Sequence, residues 1–545
     1  GIQAGADTGD VEIFSTGFVA TTGEGSRAID ADAYEGAVTI ESATVTTVGA
    51  FSVGIYAEAS SHISIASDTL TTTGESSNGI RVESRYGDVT IASGAVSTSG
   101  SGSRGIYAES DGGSVSVVSE TIVTSGAFSD GINAVAFDGT VTVESAGIET
   151  SGATSSGIAA RSTFGNIEID SESISTTGTD SLGIIASTAG ADTLIDISSV
   201  SVATTGQGAE GIFAQASGGF IGGSVVVDSG TVTTAGDDAD GIAAFSGTGY
   251  AGAGTVTVTS DSVSTSGAGS NGINAYGPGD ITIVSGSVAT SGYGSDAIEA
   301  YSRDGDISIA SGSITTTGDY GTGIVAYTGG EIEIVSTGTI QTSGYYGYGV
   351  YAGARGSVSV TSANVITAGD EATGILAFRF GDKYTEGTVT VTSGSVTTGG
   401  YDSSAIFAYN GGGDVSVVST GAVTTTGDDS DGIFAAAPYG GDVSVVSTGP
   451  IQTAGSDSQG IHAIAAETGT ITITAGTIVT TGDGSVGILA EFAAEEDEDE
   501  GEDEEPAATM ALAATGLAPA ALGPDGGVTV NVGSVTTSGA DSPGV

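Results

Sequence analysis

A Gly-Ile step, with occasional Val or Ala-Ile variants, returns along the whole chain and sets its phase: Ile2, Ile29, Ile55, Ile80 and Ile106 near the start, Ile433, Ile461 and Ile488 further on, and Val545 last. The markers bound 19 units, usually of 25 to 28 residues. A unit this small cannot bury an apolar face alone, so successive units must stack and share a core. The stretch Ala422 to Ile433, A-V-T-T-T-G-D-D-S-D-G-I, shows the tile: V-x-T-x-G, a short polar corner that often carries Ser, then G-I.

Within a unit, three short runs alternate with period two, as in Ile106-Tyr107-Ala108, Val115-Ser116-Val117-Val118-Ser119 and Ile122-Val123-Thr124. Period two reads as strand, and three strands per unit read as three walls. Each strand then pairs in parallel with its copy in the next coil, giving an all-β fold: a three-sided parallel β-helix, or β-solenoid, right-handed by the crossover rule. At a strand spacing of about 4.8 Å, the 19 coils would make a rod of roughly 90 Å. Ile106, Ala108, Val115, Val117, Ser119, Ile122 and Thr124 should face the bore.

The Thr of V-x-T is present in all 19 units and the second-wall Ser in 17, Ala475 and Val532 being the departures. Both lie on the inward face, where a hydroxyl can bond a neighbouring coil or close a corner. An outward Thr ladder would have suggested ice binding, but the outward neighbours vary: Ala20, Glu149, Gln341, Val479. Longer units expand around Gln215 to Gly223, Ser246 to Gly254 and Arg379 to Gly387, which should emerge as loops along one edge. The organisation is therefore residues 1–490 as β-helix repeats, 491–527 as an exposed acidic and Ala-rich insertion, and 528–545 as a final coil. The insertion opens with E-E-D-E-D-E-G-E-D-E-E (Glu495 to Glu505), and such a like-charged run belongs in solvent.

A net charge of −57, from 66 acidic against nine basic residues, argues against nucleic acid, whose phosphates need Lys and Arg. It suits a chain in an ion-rich medium, where counterions screen self-repulsion. With no Cys there are no disulfides, and no apolar run is long enough to insert in a membrane. The start at Gly1, without Met or signal sequence, suggests a mature or excised portion of a longer product.

Two constellations qualify as candidate sites. Acidic corners hold Asp237, Asp238 and Asp240 in one unit and Asp428, Asp429 and Asp431 in another. Stacked coils would let such carboxylates share a loosely held Ca²⁺. The calcium nonapeptide is not repeated, however, and a solvated acidic edge accounts for the same residues. The second constellation lies on the outward side of the first wall, where Tyr276, Tyr301, Tyr327, Tyr351, Phe378, Phe407, Tyr409 and Phe434 could form a stripe for glycan rings or for another rod. Catalysis has little to build on. Lys383 is the sole lysine, His62 and His462 are about 400 residues apart, and no nucleophile, base and orienting group come together by spacing, so no enzyme is expected. His462 reads as an outward surface residue.

The G-I-x-A, V-x-V-x-S and V-x-T-x-G repeats, as they stand between Gly105 and Gly126, resemble the β-helical passenger regions of bacterial autotransporters and related giant surface adhesins. The resemblance spans essentially the whole chain except the insertion, and implies secretion and display or release at the bacterial cell surface. It carries over no site residues, because the matching positions are scaffold. The function expected is that of an extracellular adhesin or stalk, without catalytic activity or a cofactor beyond loosely held Ca²⁺, whose partners are cell-surface or glycan ligands. The alternative is a structural subunit of an extracellular filament. Both termini stop at the same phase, and open coil ends would invite copies to stack end to end.

Overall fold

The computed structural model describes residues 1–218, 222–247, 254–380, 387–493, 521–522, 526–540 and 542. Every regular element among them is a strand. They fall into two compact units, Gly1–Asp280 and Ile281–Val545, built on one plan.

In the first unit, eleven five-residue strands from Ile2–Ala6 to Ile273–Gly277 form a parallel first wall. Ten longer strands, from Val11–Thr21 to Val256–Thr265, form a second parallel stack. Register is kept marker against marker: Ile106 pairs with Ile132, and Ile132 with Ile158. The second unit repeats this, with eight first-wall strands from Ile298–Ser302 to Ile488–Ala493. The chain is thus a parallel β-solenoid, and β-branched Ile and Val at alternate positions are what a pleated, half-buried surface favours.

The three expected runs appear as one short strand and one long, bent one. Along Val115–Thr124, Val115, Val117 and Ser119 are buried, Glu120 and Thr121 are both exposed, and Ile122 and Thr124 are buried again. Two outward residues in succession bend the strand without ending its pairing, which skips Glu120 and resumes at Thr121 against Gly147. In two coils the bend does split the strand, into Val415–Ser419 with Val423–Thr425 and Val443–Ser447 with Ile451–Thr453. All seven inward residues expected in the Ile106 coil are buried.

Side chains close the corners. Each corner Thr of the first unit donates to the carbonyl oxygen five residues on, Thr47 to Ser52 at 2.7 Å and Thr124 to Ser129 at 2.8 Å. The corner Ser residues form their own ladder: the Ser77 N–H donates to Ser103 Oγ at 2.8 Å and the Ser103 N–H to Ser129 Oγ at 2.9 Å. The second-wall Ser ladder behaves differently. Ser42 bonds Ser67 and Ser93 bonds Ser119, at 3.1 and 3.0 Å, but Ser145, Ser171, Ser199 and Ser260 keep buried hydroxyls without a partner. Hydroxyls one coil apart start from the ~4.8 Å strand spacing, so only rotamers turned towards each other bring them within bonding distance.

The three loop expansions fall partly outside the described residues, at 219–221, 248–253 and 381–386. So does most of the insertion, at 494–520 and 523–525, including the acidic run Glu495 to Glu505. The coil resumes at Gly526–Thr537, which pairs in parallel with Thr470–Thr480.

Candidate ligand-binding groove on the first wall

Outward residues of the first wall occupy the second and fourth places of each five-residue strand, and register stacks each place into its own column. In the first unit the second-place column runs Asp30, Tyr56, Arg81, Tyr107 and the fourth-place column Asp32, Glu58, Glu83, Glu109. Four carboxylates thus follow one another at coil spacing, about 4.8 Å, beside alternating phenol and guanidinium groups.

These columns brace one another. Arg27 lies over the Tyr56 ring, 3.5 Å from its centroid, and its Nη1 donates to Asp30 Oδ1 at 2.7 Å. The Tyr56 hydroxyl donates to Glu58 Oε2 at 2.9 Å, Arg81 donates twice to Glu83 Oε1 at 2.8 and 2.6 Å, and the Tyr107 hydroxyl donates to Glu109. Arg81 and Arg104 both lie over Tyr107. Burial and then the bond to a carboxylate push the Tyr56 and Tyr107 phenols up to about 12, so both remain donors at neutral pH. Burial also raises the Asp32 carboxyl, helped by Asp30 and Glu58 and opposed by Arg27.

Beside this face, where the first wall turns towards the second, a groove of about 480 Å³ opens. Five carboxylates and two guanidinium groups line it, and Tyr34, 71% exposed, stands on its rim. Spacing within any one unit does not reveal the groove. It becomes visible when units are aligned on the Ile marker, which puts Asp32, Glu58, Glu83 and Glu109 three residues after Ile29, Ile55, Ile80 and Ile106.

The expected aromatic stripe divides between the same two places. Tyr276, Tyr301, Tyr327, Phe378 and Tyr409 occupy the fourth place, and Tyr351, Phe407 and Phe434 the second. Tyr276 belongs to the last first-wall strand of the first unit, and the other seven to the second unit. In the second unit the rings turn towards each other: Tyr301 stacks on Tyr327 with 8° between planes, Tyr327 on Phe380 at 4.6 Å and 5°, and Phe407 on Phe434 at 4.5 Å and 11°. Tyr351 meets Phe378 edge to face. Phe378 covers Gly353, which leaves the gap in the fourth-place column that the ring fills. Phe380, one residue beyond its strand, was outside the expected stripe and completes the stack.

The acidic corners are tied to backbone. Asp237 Oδ1 accepts from the Ala268 N–H at 2.9 Å, Asp240 from the Asn271 N–H and the Asn274 amide, Asp428 from the Ser456 N–H at 2.7 Å and Asp431 from the Gln459 N–H at 2.7 Å. Each carboxylate caps the N–H of the matching corner one coil on. Asp238 and Asp429 occupy the left-handed corner position, with φ of 53° and 54°. Among the described residues, no group of three or more His, Cys, Asp or Glu is arranged to hold a metal.

His462 faces outward as expected, yet it is engaged. Its ring packs edge to face on Phe434, with Nδ1 3.6 Å from Asp431 Oδ2 and Nε2 3.5 Å from Glu491 Oε2. Burial alone would lower its pKa, but the close approach of the Asp431 carboxylate and the charge of Glu491 outweigh it and raise the value.

No family model, curated protein or solved structure matches the chain.

Proposed function

We propose that the chain is a bacterial cell-surface adhesin or stalk, a solenoid scaffold that holds a saccharide on its first wall and does not transform it. The observation carrying this is the groove beside the Tyr56–Arg81–Tyr107 column: a concave site set on a rigid ladder, with an exposed ring and charged groups fixed by their neighbours. Rigid sites of this kind bind without large ordering losses. Tyr34 offers an amphipathic ring to the apolar face of a sugar, and the braced carboxylates and Arg27 and Arg85 offer hydrogen bonds to its polar edge. The second-unit rings support the scaffold more than the ligand, because their faces are turned to one another. A charge of −57 accords with work in an ion-rich external medium.

A glycan array probed with the labelled full-length chain tests the proposal. Retention on a saccharide class, lost in the double variant Tyr34→Ala, Glu83→Gln, is the expected outcome. A blank array, or retention unaffected by the double variant, would count against it. Release of new reducing ends from a retained glycan would replace the binding-only reading with an enzymatic one.

A further inference from the structure

The groove carries an excess of negative charge that its own arginines do not neutralise. We infer that its ligand is a cationic saccharide, an oligomer of free amino sugars, whose ammonium groups meet the Asp32, Glu58, Glu83 and Glu109 column. The inference rests on the saccharide reading above and adds the charge.

Two observations carry it. Tyr56, Arg81 and Tyr107 each hold one carboxylate oxygen of Glu58, Glu83 and Glu109, so the second oxygen of each is left without a donor among the described residues. Asp32 likewise receives no hydrogen bond from them, and the five carboxylates that line the groove still outnumber Arg27, Arg85 and the Arg81 that pairs with Glu83 from the neighbouring column. A braced carboxylate with a free oxygen is a preformed acceptor for a charged donor.

The molecule also contains the arrangement it would make with such a ligand. Arg27 sits against the Tyr56 face with its charge on Asp30, a cation between a phenol ring and a carboxylate. On the rim, Tyr34 has no ring or cation partner among the described residues, and Asp32 and Glu58 line the same groove. A ligand ammonium would enter there as the Arg27 guanidinium enters at Tyr56.

The test is calorimetric titration of the full-length chain with three probes: a glucosamine tetramer, its fully N-acetylated counterpart and tetralysine. Alongside wild type run the groove variant Glu58→Gln, Glu83→Gln and a control, Glu168→Gln with Asp170→Asn, which removes the same charge from an exposed part of another wall. Gln retains an acceptor for the Tyr56 hydroxyl and for Arg81, and circular dichroism verifies that each variant is folded. The free-amine tetramer should bind wild type at least about tenfold more tightly than the acetylated one, and the groove variant should lose about tenfold while the control loses little. Equal binding of the two tetramers would overturn the inference and leave the saccharide reading standing. Binding of neither would overturn the inference, and a blank glycan array would overturn the saccharide reading with it. Tighter binding of tetralysine, or equal losses in groove and control variants, would reduce the effect to a peptide site or to counterion uptake and would also overturn it.

Discussion

The Thr425 hydroxyl donates to the Ser430 carbonyl oxygen at 2.8 Å, and both side chains are fully buried. The same bond recurs from corner to corner, so the most repeated feature of the chain is a corner clasp. Ser430 is used again: its Oγ accepts the Ser403 N–H at 2.9 Å and donates to the Gly400 carbonyl. Thr425→Val should therefore strand a buried carbonyl and cost about 1–3 kcal/mol, and Ser430→Ala should cost a similar amount. Amide exchange at Ser403 reads the second effect locally, where a repeat protein need not unfold as one unit. Unchanged protection at Ser403 in Ser430→Ala would refute the bond from the Ser403 N–H to the Ser430 hydroxyl, and an unchanged melt in Thr425→Val would refute the clasp.

Ser171 supplies the contrast, being buried with a hydroxyl that has no partner. Ser171→Ala should be neutral or stabilising by up to about 1 kcal/mol, whereas Thr176→Val in the same coil should be clearly destabilising. Equal losses at the two sites would show that the second-wall hydroxyls are bonded after all. Denaturant melts of the two variants decide it.

At Gly427 the coils approach too closely for any side chain: a Cβ would run into the Gly400 carbonyl. Gly427→Ala should lower the melting temperature by many degrees, while Gly17→Ala, which meets no atom within 4 Å, should change stability by no more than about 0.5 kcal/mol and leave the melt nearly where it was. A mild phenotype at Gly427 would mean that the stacked corners have slack.

Two groups give stability a pH slope of known sign. Burial raises the Asp296 carboxyl to about 7, offset in part by the Thr322 N–H and reinforced by Glu299. Its folded value lies above its ordinary 3.8, so the folded state holds the proton longer, and stability falls as pH rises from about 4 to about 7. Asp296→Asn keeps the acceptor for Thr322 and should be more stable than wild type at pH 8, by on the order of 2 kcal/mol, with the gain gone at pH 4. His462 is also raised, so its charge pairs with Asp431 and Glu491 stabilise below the ordinary imidazole range and are lost as pH rises through the raised value. His462→Gln should be less stable than wild type at pH 5, with the deficit shrinking in alkali. Thermal melts across pH 4–9 test both, and a wild-type slope retained in both variants would assign it to other groups.

The second-unit rings are predicted to matter for folding more than for binding. Tyr327 is stacked between Tyr301 and Phe380, and such an aromatic pair contributes about 0.5–1.5 kcal/mol beyond the area it covers. Tyr327→Ser should lower the melting temperature and leave saccharide retention intact. Lost retention with an unchanged melt would move the ligand to this face.

The coil phase, the inward set and the Thr clasp were legible because each recurs at a constant offset from the Ile marker, and period two leaves one inward choice. Tyr301 and Tyr351 were legible as outward but not as members of different columns, since one follows its marker by three residues and the other by one. The groove was harder to read for the same reason. Glu58 and Glu83 look like isolated surface charges until register places them side by side. The capping role of Asp428 was not legible, because a carboxylate that accepts a backbone N–H one coil away has the same composition as one in solvent. Phe380 was missed because it lies past the end of its strand, where alternation no longer says which way a ring turns.

Carboxyl footprinting of the full-length chain with a water-soluble carbodiimide, read by mass spectrometry with and without the glucosamine tetramer, addresses the central claim most directly. Protection concentrated at Asp32, Glu58, Glu83 and Glu109, with Glu168 and Asp170 unchanged, is the result expected of a groove that holds the sugar. Protection spread evenly over the acidic surface, or confined to the corner residues Asp237, Asp240, Asp428 and Asp431, would contradict it.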